Sequence, residues 1–286
     1  MRTITNANVA LGKLVQQNKG GRQMKIRVMG ALLAVAVFLP FLIVGGPWFA
    51  WFIFVLGAIG LYEIARMKNI KFISIIGIIS IVALSTVLLP PEYISALMPV
   101  DDPQFIFYVC GMLLLTLTVY QHKTFNFVDA ATLMFGALYV GFGFRFLINM
   151  REMGLETIIY QLIVIWATDT GAYLVGRKIG KVPLAPEISP NKTVEGSIGG
   201  IVLALIASSL YINLFKPNLG QLDHIWILTI LMSIVGQYGD LVESAYKRHF
   251  NVKDSGKLIP GHGGVLDRFD SMIFTSFMFM IWLNLM

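Results

Sequence analysis

Between Asp240 and Asp270 the chain concentrates acids, bases and glycines in about thirty residues. The run holds Asp240, Glu243, Ser244, Lys247 and Arg248, then Lys253 and Asp254, then His262, Gly263, Gly264, Asp267, Arg268 and Asp270. Carboxylates hold hard cations through oxygen, and Lys and Arg hold phosphate. Both kinds in one short stretch point to phosphoryl chemistry. Asp240, Glu243, Ser244 and Lys247 are spaced i, i+3, i+4 and i+7. A helix reaching about Arg248 would put all four on one face. Gly261, Gly263 and Gly264 predict a turn whose N–H groups approach an anion, with His262 either donating to phosphate or folding that turn. The plain alternative is a solvated loop laced with ion pairs. Acids this close to apolar spans are costly unless they are used, which favours a site.

Two more stretches carry chemistry. In Lys181–Gly196, Ser189 followed by Pro190 predicts a helix start, with Ser as the cap and Pro in the first turn. Lys192 would then meet phosphate at a helix N-terminus, or serve simply as an interfacial lysine. Gly196 and Gly200 form a small-xxx-small pair suited to close helix packing. Asp169 interrupts the apolar run around Ile163–Tyr173, where an ionisable side chain is either functional or paired with a base. Glu63 and Arg145 stand near span ends and receive no role at this level.

The surrounding elements are apolar. Of 286 residues, 56% are hydrophobic and 13% charged, against about 25% charged in soluble domains. Runs of membrane-crossing length, about 17–22 residues, recur along the chain. They lie near 28–46, 48–65, 72–89, 104–120, 128–149, 157–176, 196–215, 224–243 and 270–286. The expected fold is therefore an all-α integral membrane protein of about nine transmembrane helices. It divides into a basic polar segment (1–27), N-terminal helices (28–150) and a catalytic region (151–286). With the N-terminus inside and the C-terminus outside, the inner segments collect 19 of the 22 Lys and Arg residues, as short cytoplasmic loops should. The formal net charge of +6 is then met by anionic lipid headgroups, and no nucleic-acid partner is needed. Cys110 is the single cysteine, which excludes a disulfide framework and a thiolate metal site. The basic start resembles a signal peptide without its cleavage site, so an uncleaved first helix is expected.

The run from Ser244 through Lys247-Arg248, Lys253-Asp254, Gly256, Ile259-Pro260, His262-Gly263-Gly264 and Asp267-Arg268 to Asp270 resembles the signature of the phosphatidate cytidylyltransferases, the CDP-diacylglycerol synthases. Asp169-Thr-Gly171-Ala-Tyr173 and Ser189-Pro-Asn-Lys192-Thr193-Val-Glu195-Gly196 are similar to two further stretches of that family. The likeness covers about residues 165–270, and the N-terminal half shares only its hydrophobic character. One departure is Tyr246, where the family usually has an aliphatic residue or Phe.

The resemblance implies transfer of the cytidylyl group of CTP to phosphatidate in phospholipid biosynthesis, with Mg2+ on Asp240 and Asp267 and room for a second cation. Lys247 and Arg248 join these aspartates as catalytic residues. Asp169, Ser189, Lys192, Ser244, Lys253, Asp254, His262, Gly263, Gly264 and Arg268 are the expected substrate-binding set. The implied partners are CTP, phosphatidate and membrane lipid, and a homodimer is compatible with them. The implied location is the inner (plasma) membrane, with the site on the cytoplasmic side. Two alternatives stay open. One is a CTP-dependent transferase acting on another membrane lipid. The other is a transporter using Asp169, Asp240 and Asp267 as a pathway, against which stand the clustering of charge in loops and the lack of repeat symmetry.

Overall fold

The computed structural model describes residues 29–30, 32–97, 102–219, 224–256, 258 and 263–285. The expected N-terminal segment (1–27) and His262 lie outside the described residues. The described helices are α1 (Leu32–Val44), α2 (Gly46–Met67), α3 (Ile75–Leu88), α4 (Pro91–Leu97), α5 (Pro103–Tyr120) and α6 (Phe127–Met153). After these come α7 (Leu155–Ile179), a hairpin of β1 (Pro183–Ala185) and β2 (Ser189–Thr193), α8 (Val194–Phe215), α9 (Ile225–His249) and α10 (Leu266–Leu285). Long apolar helices satisfy every backbone group internally, as a lipid environment demands. The protein is thus an α-helical membrane protein. Each of the nine apolar stretches overlaps a helix, but among the described residues six helices (α2 and α5–α9) are long and apolar enough to cross a membrane. The helices α1 and α3 are shorter, and α10 opens on Asp267, Arg268 and Asp270.

Local sequence sets the helix starts. Asp102 accepts the Gln104 N–H at 2.8 Å ahead of Pro103 to open α5. Asn126 and Asp129 form a capping box at the start of α6. The expected helix start at Ser189 is not what forms. Ser189–Thr193 is a strand paired antiparallel with Pro183–Ala185, and Thr193 caps α8 by accepting the Gly196 N–H at 3.1 Å. Extended backbone at Ser189 before Pro190 suits an N-cap and a strand alike, and the pairing with Pro183–Ala185 selects the strand.

The packing falls into two groups. In the first, α3 lies against α5 and α6, and α2 against α6. In the second, α7 packs most extensively on α8, and α9 on α10. A Cβ at Gly200 would stand 2.7 Å from the Thr168 carbonyl and one at Gly196 2.8 Å from that of Ala172, so small residues let α7 and α8 approach. The groups meet where α10 packs on α6, with the Phe144 and Phe269 rings edge to face at 5.2 Å. Beneath the polar end of α7, α9 and α10, buried hydrogen bonds tie the helices. Gln161 Nε2 donates to Thr275 Oγ1 (2.8 Å) and Ser276 Oγ (2.7 Å), and the Thr168 and Ser233 hydroxyls pair at 2.8 Å. Ile198, Val202, Ile206, Leu210 and Leu214 are exposed along one stripe of α8, the face such a helix turns to lipid.

Candidate active site

The acidic stretch is helical through His249, so Asp240, Glu243, Ser244 and Lys247 do share one face of α9. The Ser244 hydroxyl lies 3.4 Å from Asp240 Oδ1 and donates to it. Lys247 Nζ donates to Glu243 Oε2 and to Asp267 Oδ1, both at 2.6 Å, and thereby links α9 to the start of α10. Asp267 Oδ2 accepts three more bonds: the Ser255 N–H (2.9 Å), the Ser255 hydroxyl (2.8 Å) and the Gly264 N–H (2.8 Å). Gly263 has φ +87°, and a Cβ there would collide with the Asp267 carboxylate. Conformation and space both require glycine at this turn.

One oxygen from each of Asp240, Glu243 and Asp270 lies within 4.8 Å of the others. Glu243 Oε1 is buried and has no hydrogen-bond partner among the described residues. Carboxylates brought this close repel unless a cation stands between them. Three carboxylates so close, one of them with an oxygen unpartnered among the described residues, fit a hard divalent cation with oxygen ligands. Asp240 is in this group. Asp267 is held instead by Lys247, Ser255 and Gly264, on the other side of Lys247.

The basic residues come from three elements. The turn of the hairpin into α8 brings Lys192 into an ion pair with the Asp240 carboxylate. Arg268 follows Asp267 on α10, and both it and Lys192 stand within electrostatic reach of Asp169 on α7, as does Asp240. The structure therefore gathers Asp169, Lys192, Asp240, Ser244, Lys247, Asp267 and Arg268 around the C-terminal halves of α7 and α9 and the start of α10. Ser189 opens β2, at the opposite end of that strand from the start of α8. Arg248 is exposed and its Nε donates to the Ile188 carbonyl at 3.4 Å, joining α9 to the hairpin. Lys253 and Asp254 are exposed on the turn after α9. Two residues with no assigned role also belong to the site's frame. Ser255 bridges to Asp267, and Glu63 bonds the turn before α10. Glu63 carried a signal, an acid beside an apolar span, but its partners lie 192 to 203 positions away and no local spacing reveals them.

A cluster of acids with Lys and Arg beside it, on apolar helices, is a set of groups that a membrane-bound transferase of nucleotides could use. A sequence model of the cytidylyltransferase family matches residues 25–286, and the chain belongs to that family. At finer grain, the chain is 44% identical to the phosphatidate cytidylyltransferase of Staphylococcus haemolyticus over 254 residues, which is 88% of this chain and 95% of that protein. The proteins of the same name from Staphylococcus saprophyticus and Staphylococcus aureus are 45% and 44% identical, over the same shares of each chain.

Proposed function

We propose that this protein transfers the cytidylyl group of CTP to phosphatidate, giving CDP-diacylglycerol and pyrophosphate. The observation that carries the reading is the joining, in a chain of this family, of the Asp240–Glu243–Asp270 carboxylates to Lys192, Lys247 and Arg268 at the end of membrane helices. Phosphatidate's phosphate is largely dianionic near neutral pH (second pKa about 6), so the attacking oxygen needs little help from a base. It forms a bond to the α-phosphorus of CTP as the bond to the β-phosphate oxygen breaks, and pyrophosphate leaves with that electron pair. The obstacle is repulsion between two anions. Lys192, here paired with Asp240, and Arg268 would donate to phosphate oxygens and neutralise the leaving group. Lys247 is held between Glu243 and Asp267, and so presents a fixed positive charge rather than a mobile one. Asp240, Glu243 and Asp270 would hold Mg2+, with Asp267 and Asp169 beside them. Bound there, the cation supplies charge neutralisation across the reacting phosphates.

In this reading nine helices cross the plasma membrane, with the N-terminus and the site on the cytoplasmic side, where CTP is available. The support is the division of basic residues, 19 of 22 on the inner segments. Thiol labelling of intact cells tests it in a Cys110→Ala background. A cysteine placed between 93 and 102 is expected to react with an impermeant reagent and one between 178 and 188 to stay protected; the reverse puts the site on the wrong face. The reaction itself is tested with purified protein, labelled CTP and a panel of acceptors. Phosphatidate should be the preferred acceptor. Preference for another phospholipid or a polyprenyl phosphate would replace it as substrate, and no product with any lipid would favour transport.

A further inference from the structure

Glu63 lies near the end of α2, in the half of the chain that carries none of the signature residues, and is 2% exposed. Both of its oxygens are engaged. Oε1 accepts the Val265 N–H at 2.9 Å, and Oε2 accepts the Leu266 N–H at 3.0 Å and the Ser255 hydroxyl at 3.1 Å. These amides belong to the start of α10, where N–H groups lack intrahelical partners and the helix dipole favours an anion. That explains how a carboxylate is buried here while no Lys or Arg among the described residues pairs with it. The turn is shaped around it: a Cβ on Gly256 or on Gly264 would collide with Glu63 Oε1.

The bonds of Glu63 run directly into the site. The Ser255 hydroxyl stands between two carboxylates, 3.1 Å from Glu63 and 2.8 Å from Asp267. Gly264 gives its N–H to Asp267, and the next two N–H groups go to Glu63. Asp267 in turn fixes Lys247. We infer that Glu63 is a positioning residue for cytidylyl transfer: from the N-terminal half it holds Ser255 to Val265 and Leu266 and so sets where Asp267, Lys247 and Arg268 stand. The inference rests on the transferase reading given above. Size is not the point. Glu63→Gln keeps the volume but turns an NH2 group towards the N–H of either Val265 or Leu266, donor against donor, and the turn must shift.

The test uses the full chain in detergent and compares the parent with Glu63→Gln, Glu63→Asp and Ser255→Ala. It reads kcat and KM for CTP per folded molecule, melting temperature, and hydrogen exchange of the 263–266 amides. Glu63→Gln is expected to lose about 10–100-fold in kcat, the usual cost of removing a supporting hydrogen-bond partner behind a site. KM for CTP should move by less than about threefold, because no contact to nucleotide is removed. Glu63→Asp should recover part of the rate, and the 263–266 amides should exchange faster in Glu63→Gln. A Glu63→Gln rate per folded molecule within about twofold of the parent overturns the inference. So does an Asp variant as slow as the Gln variant, with both losses tracking the unfolded fraction. If Glu63→Gln yields no folded protein, Ser255→Ala decides: a lowered kcat supports the inference and a parental kcat overturns it. A folded parent without activity refutes the transferase reading instead. The positioning claim is then judged by exchange alone, and unchanged protection at 263–266 overturns it.

Discussion

The two helix groups spend their charged side chains differently. In the α1–α6 group several of them tie helix ends. Lys68 pairs with Asp129 at 3.0 Å, Arg145 bonds the Leu89 carbonyl and Asn149, and Arg151 donates to the Leu42 and Ile43 carbonyls. Asp129, Arg145 and Arg151 each bond a backbone group at a helix end. In the α7–α10 group the charges face one another. Asp240, Glu243 and Asp270 crowd together, Lys192 and Lys247 stand against them, and a Glu243 oxygen has no partner among the described residues. A structure built only for stability would not gather like charges at the end of apolar helices. The difference separates a scaffold from a site within one fold, and Glu63 is the bond that crosses from one to the other.

Substitutions on the two sides should separate accordingly. The largest effect is expected from Asp240→Asn and Asp267→Asn, which keep size and remove charge. Each should lower turnover by at least about 10²–10³-fold, the scale of losing a preorganised electrostatic group. Melting curves in detergent should show a folded protein. Near-normal Mg2+-dependent rates in both variants would dissolve the distinction between the two groups. Next is Lys192→Ala. A charge-assisted hydrogen bond contributes about 1.5–3 kcal/mol, so kcat/KM for CTP should fall roughly 10–100-fold while the melting temperature changes little. Normal kinetics with normal stability would remove Lys192 from the site. The smallest effect on rate belongs to the scaffold. Asp129→Ala breaks both the Lys68 pair and the capping box. It should cost about 1–3 kcal/mol of stability with kcat per folded molecule unchanged. A rate loss there without a stability loss would place catalytic influence where the comparison puts none.

Much of this was legible in the chain, and the reasons are specific. Apolar length alone marks helices, because a backbone in lipid has few other choices. The face shared by Asp240, Glu243, Ser244 and Lys247 follows from helical spacing and is present in α9. The hairpin was not legible: Ser189-Pro190 satisfies a helix-start pattern, and tertiary pairing with Pro183–Ala185 decides otherwise. Nor could spacing alone tell how the carboxylates are shared. Asp240 and Asp267 fit an antiparallel pair equally well on paper. Only the turn geometry of Ser255 and Gly264 shows that Asp267 is already bonded, while Asp270, one helical turn later, joins Asp240 and Glu243. Glu63 was invisible for a related reason, since its partners are brought by the fold from the far end of the sequence.

Transfer of a nucleotidyl group at this site is best tested by following individual CTP phosphates. Purified protein is incubated with phosphatidate, Mg2+ and CTP labelled at either the α- or the γ-phosphate. α-Label should appear in the lipid fraction while γ-label leaves in pyrophosphate, in equal amounts. Transfer of γ-label to lipid, or α-label that never leaves the aqueous phase with folded protein present, would contradict it.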